Sequence, residues 1–366
     1  MFRVALCRSG SFDYDVGARG RTSADDMSHR FSQRLARPGW MTIPTARRYV
    51  AALAAAFPVA CLTAGCHDAP AERANPTVVH LTSGTPGAGF HPLGAGLARA
   101  FAHSVPAIAL QVQESPGAVR NVKALQNGTA DIGFAFADVA YMAYVGKLEQ
   151  DAAPFDRLRG IAVLQLTPLH LAVRPGAPIH GVKDLRGRRV GIGPPGSGTA
   201  LTSRIVLRAF GIASNELQEV LVPFSDVAPR LKNGTLDAAF VNGGYPAESI
   251  ALATAAGARL LPVDGAPIAR LRLEYPFMRL TFIPAATYPG QAAAIPTIGV
   301  ANLLLCREDL AETLVYELTK GLFEVLPDLS LERISLRMMD IDQAPATPIP
   351  LHEGAARYYR EIELTR

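Results

Sequence analysis

The sequence predicts an α/β protein made of two similar lobes with a ligand cleft between them, and two observations carry that prediction. The first is Arg189–Arg204, which reads as strand, tight loop and helix. The β-prone run Val190–Ile192 ends in Gly193-Pro194-Pro195-Gly196-Ser197-Gly198, and Leu201, Ile205, Val206 and Ala209 follow at helical spacing up to Gly211. The second is that the chain holds this unit twice. Val78–Thr82 runs into Ser83-Gly84-Thr85-Pro86-Gly87-Ala88-Gly89 and a helical pattern through Leu93, Leu97, Ala100 and Phe101. Downstream, Leu125–Phe134 and Leu231–Phe240 both read L-x-N-G-T-x-D-x-x-F, so in each copy a helix ends at Asn-Gly and the Asp leads into a short buried strand. Two like-ordered units about a hundred residues apart are too long for solenoid repeats. Each carries a Gly-rich loop at the carboxyl end of its first strand, where open α/β sheets bind ligands.

In chain order, residues 1–40 are polar, hold seven arginines and show no apolar periodicity, so no structure is expected of them. Met41–Arg48 is a basic n-region, Tyr49–Leu62 an apolar h-region too short to span a bilayer, and Thr63-Ala64-Gly65-Cys66 a processing site. That anatomy is a secretion signal over 41–66, with Met41 as the expected start. Thr-Ala-Gly-Cys is close to a lipobox, so Cys66 is the expected lipidation site and a membrane anchor; otherwise a nearby cut frees a soluble protein. Residues 67–76 form a tether. Lobe 1 is expected over 77–165 and 275–366, and lobe 2 over 166–274.

Within lobe 1, Ser83 and Thr85 belong to the first loop, and Phe90 and His91 after it read equally as a ligand wall or as packing beneath the loop. Leu110–Gln113 alternates as a strand and ends near Gly117, Asn121 lies in the first turn of the next helix, and the strand Ile132–Ala137 delivers Asp138 and, one turn on, Tyr141. Leu164–Arg174 is a hydrophobic run that crosses between the lobes. In lobe 2, Ser197, Gly198 and Thr199 sit where a helix N-terminus offers unpaired N–H groups and the positive end of its dipole to an anion; a plain turn with two capping hydroxyls is the alternative. Asn242-Gly243-Gly244-Tyr245-Pro246 follows a strand, and its glycines allow close ligand approach or mark a simple turn. Thr297–Leu305 is a buried return strand and Leu310–Leu326 a helix.

Composition bounds the function. With 49% apolar and 19% charged residues the chain has ample core for two lobes. The net charge of +4 comes largely from the first forty residues, and no basic stripe interleaved with aromatics follows, so nucleic acid is not an expected partner. Of the four cysteines only Cys306 falls inside the fold, which excludes a disulfide framework and suits a small buried hydrophobe. The eight histidines are scattered without metal-ligand spacing, so neither metal nor cofactor is expected. No Lys follows the Gly run, as a nucleotide P-loop requires, and no Gly-x-Ser-x-Gly frame surrounds Ser197.

The chain from about Val78 to Glu361 resembles the TAXI-type solute-binding proteins of tripartite ATP-independent periplasmic (TRAP) transporters. The matching pieces are Asn121-Val122 after Pro116-Gly117, Ala137–Ala143, Asp184–Val190, Gly193–Thr199, Ile283-Pro284-Ala285 with Tyr288-Pro289-Gly290, and Ile349–Ala355 with Tyr358-Tyr359. The resemblance implies a type II periplasmic-binding-protein fold that closes on a small solute, glutamate or a similar carboxylate, and delivers it to an ion-gradient-driven membrane permease. The ligand would touch the loop and strand-end residues named above, its carboxylate at Ser197–Thr199, with Asn121 and Asp138 orienting its other end. Asp138 would do so by taking an ammonium, or else serves as a helix cap. The family usually has Gly-Gly-x-Tyr-Tyr where this chain has Gly87-Ala88-Gly89-Phe90-His91, Gly-Ser where it has Gly117-Ala118, and an acidic residue at Ala200. Two rivals share the scaffold: a periplasmic sensor that presents its closed form to a receptor kinase, and an enzyme, for which His91 is the sole candidate base beside the loops.

Overall fold

Both predicted units form, and they form in the same order. In the computed structural model β1 (Thr77–Thr82), α1 (Phe90–Ser104), β2 (Ile108–Gln113), α2 (Ala118–Gln126), β3 (Ile132–Phe136) and α3 (Ala137–Tyr144) make the first. The long strand β4 (Leu158–Val173) leads to the second, β5 (Arg189–Gly191), α4 (Gly198–Ala209), β6 (Gln218–Val220), α5 (Phe224–Lys232), β7 (Ala238–Asn242) and α6 (Glu248–Ala255). Then come β8 (Arg259–Leu261), α7 (Ala266–Glu274), β9 (Met278–Ile283), β10 (Ile295–Arg307), α8 (Glu312–Glu332) and α9 (Glu353–Thr365). The structure describes residues 75–85, 89–148, 153–332, 339 and 341–365, all within the compact unit Ala69–Arg366. The expected leader, Cys66 and nearly all of the tether lie outside the described residues.

Strand order shows the duplication. β1 pairs parallel with β2 and β3, and β10 runs antiparallel to β3; β5 pairs parallel with β6 and β7, and β4 runs antiparallel to β7. Each half is therefore a 2-1-3 parallel sheet closed by an antiparallel strand contributed from outside its own βαβ run. The two closing strands pair with each other, Gly299–Arg307 against Leu158–Pro168. Beyond that pairing β4 continues into the second half beside β7 and β8, and the early part of β10 pairs with β9. Two strands thus cross between the lobes, and their pairing slips register between Asn302 and Leu303, a β-bulge that bends the strand it occupies.

The local signals explain the elements. β3 and β7 are buried along their whole length because helices cover both faces, so they read as continuous apolar runs and not as alternations. Helices α2 and α5 end at Asn127 and Asn233, and Gly128 and Gly234 follow, each at φ +73, a left-handed position that costs a non-Gly side chain its backbone comfort. Core packing centres on Phe101, Phe134, Leu81, Ile132 and Leu158 in the first half and Phe240, Leu169 and Leu171 in the second. Each large side chain so buried stabilises the fold by roughly 1.5–3 kcal/mol. Cys306 is buried and free, and burial pushes its thiol up, which leaves it an inert core residue. Helix α8 runs six residues past its expected end, through Pro327, and packs on α1 while α9 packs on α8. No described helix is long and apolar enough to cross a membrane.

Candidate functional site

Helices α1, α2, α4 and α5 each follow a strand of one lobe, and all four begin at the same place. Gly89 and Phe90, Gly117 and Ala118, Ser197, Gly198 and Thr199, and Phe224 line a single cleft with Gly84, Pro116, Phe136, Asn242, Gly243 and Gly244. Gln165 and Thr167 of β4 and Asn302 of β10 form its floor. The cavity is about 40 Å³, small beside the roughly 300–1,000 Å³ of ordinary ligand clefts, so it grows only if the lobes part. Their contact is close. A Cβ on Gly198 would collide with the Phe136 ring of the other lobe, and one on Gly117 would lie 3.4 Å from Ser197 Cα. Phe90 packs on Phe134 and Phe136, with ring centroids 5.6 and 5.0 Å apart, and makes an apolar wall.

Charge is arranged by what the helices lack. Helices α3, α5, α6, α8 and α9 carry an acid in the first turn, which offsets the positive end of the dipole; α7, which begins off the cleft lining, carries none, and neither do α1, α2 and α4. The N-termini of α1, α2 and α4 point at the cleft, none of whose lining residues is acidic. Gly89 and Gly117 have no side chain with which to cap α1 and α2. Ser197 Oγ accepts the Ala200 N–H at 3.3 Å and Thr199 Oγ1 the Asn242 N–H at 3.3 Å, so each hydroxyl keeps its own proton to donate.

Of the residues singled out from the sequence, Phe90, Gly117, Ser197, Gly198, Thr199 and Gly244 therefore meet on the cleft wall. The others stand behind or beside it. Asn121 is 0% exposed and has its hydrogen-bonding capacity filled: Thr82 and Ser115 hydroxyls donate to its Oδ1, and its Nδ2 donates to Ser83 O and Phe134 O, both at 2.7 Å. It locks the ends of β1 and β3 to the start of α2. Ser83 is buried and donates to Gln113 O at 3.2 Å, and Thr85 is half-buried off the lining. His91 lies 3.9 Å from Glu114, Tyr141 packs its ring on Phe277, and Tyr245 packs with the second-lobe core around Val241 and Ile250. Asp138 is 0% exposed and lies where the lobes meet: the Thr202 hydroxyl of α4 donates to its Oδ2 and the Val139 N–H to its Oδ1. Burial pushes its carboxyl up to about 6 against the pull of those donors.

Gln165, Thr167, Asn242 and Asn302 were absent from the sequence-derived set. The available signal was a polar residue inside an apolar strand, as in Leu164-Gln165-Leu166-Thr167 and Ala301-Asn302-Leu303. A supporting network was missed too. Ala247 N–H donates to the Tyr288 hydroxyl at 2.8 Å, which pairs with His170 Nε2 at 2.9 Å, while His170 Nδ1 pairs with Val241 O at 3.2 Å. Because Tyr288 donates to Nε2, the Nδ1 carries the proton and the ring is neutral; burial holds it down to about 4. Val241 and Ala247 bracket Gly243 and Gly244, so the pair fixes both ends of that cleft loop. Among the described residues no cluster of three metal-ligating side chains exists.

Similar solved structures include the alkanesulfonate-binding protein SsuA from Xanthomonas axonopodis pv. citri bound to MOPS, 16% identical over 78% of this chain and 84% of that one, TM-score 0.48. The periplasmic aliphatic sulphonate binding protein SsuA from Escherichia coli is 17% identical, covering 78% and 83%, TM-score 0.45. A TctC solute binding protein from Polaromonas, solved without ligand, is 19% identical, covering 80% and 99%, TM-score 0.46. Likeness at this level assigns no ligand. Residues 81–362 fit a family model across the two-lobe region, and the chain belongs to the NMT1-like family.

Proposed function

We propose that this protein is an extracytoplasmic solute-binding protein whose lobes close on a small anionic, carboxylate-bearing solute and hand it to a membrane permease. The observation that carries the reading is the convergence of three uncompensated helix N-termini on a cleft without acidic lining. The anion would be held by N–H groups of α1, α2 and α4 and by the Ser197 and Thr199 hydroxyls, against the Phe90, Phe136 and Phe224 walls. Entry requires the lobes to swing about β4 and β10, and the closed form is what a membrane partner would recognise. The TAXI resemblance favours a TRAP permease as that partner, glutamate or another organic acid as solute, and a Cys66 lipid anchor; a receptor kinase is the alternative partner. Binding, not catalysis, is the role proposed, since the hydroxyls on the cleft wall have no general base beside them among its lining residues.

Thermal-shift screening of the purified protein against carboxylates, amino acids and sulfonates tests the reading. A solute at a hundred times its Kd adds about 2.7 kcal/mol and a clear rise in Tm. If no small anion raises Tm, the reading is wrong. Uptake by proteoliposomes carrying a TRAP permease then separates transporter from sensor.

A further inference from the structure

The cleft contains two amide oxygens that no described residue pairs. Asn242 is 6% exposed and its Oδ1 has no hydrogen-bond partner; Gln165 Oε1 is likewise buried and unpaired, and both residues line the cleft. A buried carbonyl oxygen left without a donor has lost its water and gained nothing in return, so each is a place where a solute donor gains more than it would in water. The orientation of Asn242 is set from behind. Asp138 takes the Thr202 hydroxyl proton, which leaves Thr202 Oγ1 to accept Asn242 Nδ2 at 3.5 Å. With Nδ2 committed there, the oxygen is the group left over.

Amide oxygens accept and cannot donate, and they carry no charge. An ammonium would be buried among neutral acceptors and three positive helix ends. The nearest buried carboxylate, Asp138, is fully enclosed with both oxygens already engaged. Hydroxyls donate without that penalty. Resting on the reading of the cleft as an anion site, we propose that the solute is a hydroxylated carboxylate, its carboxylate at the N-termini of α1, α2 and α4 and its hydroxyls donating to Gln165 Oε1 and Asn242 Oδ1.

Calorimetry with matched skeletons of three to six carbons tests this: propionate, lactate, glycerate, alanine and serine; succinate, malate, tartrate and aspartate; glutarate, 2-hydroxyglutarate and glutamate; hexanoate and gluconate. Within the set that binds, the hydroxylated acid is expected to bind at least tenfold tighter than its deoxy and amino counterparts. Gln165→Met, at a half-buried position, is expected to narrow the hydroxylated-to-deoxy ratio at least threefold with the deoxy acid unchanged. Asn242→Leu, if urea melts show it folded, does the same. An amino acid that binds as tightly as its hydroxylated counterpart, or a ratio unmoved by Gln165→Met, overturns the proposal. Carboxylates bound without regard to hydroxyls sink this inference and leave the anion reading standing, whereas no binding by any member of the panel sinks both.

Discussion

The two lobes use one device with different chemistry. In the first, Asp131 accepts the His80 N–H at 2.8 Å and returns its own N–H to His80 O at 3.0 Å; in the second, Asp237 does the same with Arg189, at 3.0 and 2.9 Å. The far end of each crossing strand is tied to the same residue, Arg307 N–H to Asp131 O at 3.2 Å and Arg174 N–H to Asp237 O at 3.1 Å. The backbone is duplicated faithfully. The charges are not: Asp237 lies between two guanidiniums that hold its carboxyl well below the usual carboxylate range, whereas Asp131 shares one guanidinium and an imidazole. The difference teaches that the repeat was kept for its strand-to-strand pin, and that ion pairing was layered onto it separately in each lobe.

The largest effects come from the one deeply buried titrating group that each lobe contributes. His170 stays neutral in the fold, with its ring held down to about 4, so the unfolded chain binds the extra proton and stability falls as pH drops from about 6.5 to 4. Asp138, pushed up to about 6, is the reverse: the folded state binds the proton first, and stability rises as pH drops from about 6 to 4. Each amounts to roughly 3 kcal/mol, so the two oppose each other and the wild type should show a nearly flat urea midpoint between pH 6.5 and 4. His170→Gln should gain stability on acidification and Asp138→Asn should lose it; slopes of the same sign would mean that burial is not what shifts these groups.

Next in size is the asymmetry at the first residue of the equivalent helices, Phe90 in α1 and Gly198 in α4. The glycine admits the other lobe's Phe136. Gly198→Ala should therefore weaken the best solute by a hundredfold or more, about 2.7 kcal/mol, while the urea midpoint without solute moves little. Tight binding by this variant would show that the lobes need not approach so closely. Smaller again, Asp237→Asn should cost about 2 kcal/mol and Asp131→Asn about 1 kcal/mol in urea melts, since the second keeps fewer charge-assisted bonds and is the more exposed. Equal losses would place the value of both in the backbone pin alone. Smallest, His80→Arg installs the second lobe's pairing in the first and should stabilise by a few tenths of a kcal/mol; a loss would mean that the imidazole has a packing role.

Legibility followed locality. The duplicated L-x-N-G-T-x-D-x-x-F could be read because each symbol is tied to a local requirement: a glycine at positive φ, an aspartate that caps a neighbouring strand end, an aromatic in a strand buried on both faces. The glycine-rich wall of the cleft could be read for the same reason. Its floor could not, because Gln165, Thr167 and Asn302 are polar residues on strands, and only the pairing of β4 with β10 brings them under the helix ends. β9 is absent from the sequence expectations although Met278-Arg279-Leu280-Thr281-Phe282 alternates apolar and polar; its place comes from pairing with β10. Asn121 and Asp138 show that a buried amide or carboxyl carries the same letter whether it faces a solute, a neighbouring backbone or the opposite lobe. The contact with Thr202, from a helix that starts sixty residues later, is the information that the sequence does not hold.

The bulge between β4 and β10 opposes Asn302 to Gln165, two of the cleft's polar residues, in the stretch where both strands pass from lobe to lobe. On the proposed closure about β4 and β10, a solute resting there would stand near the fulcrum and not at the end of a lever. If the lobes swing about these strands, a surplus methylene at the floor would hold Gly198 away from Phe136. The pairing of β4 with β10 would then limit solute size from below, while the helix ends above hold the anion.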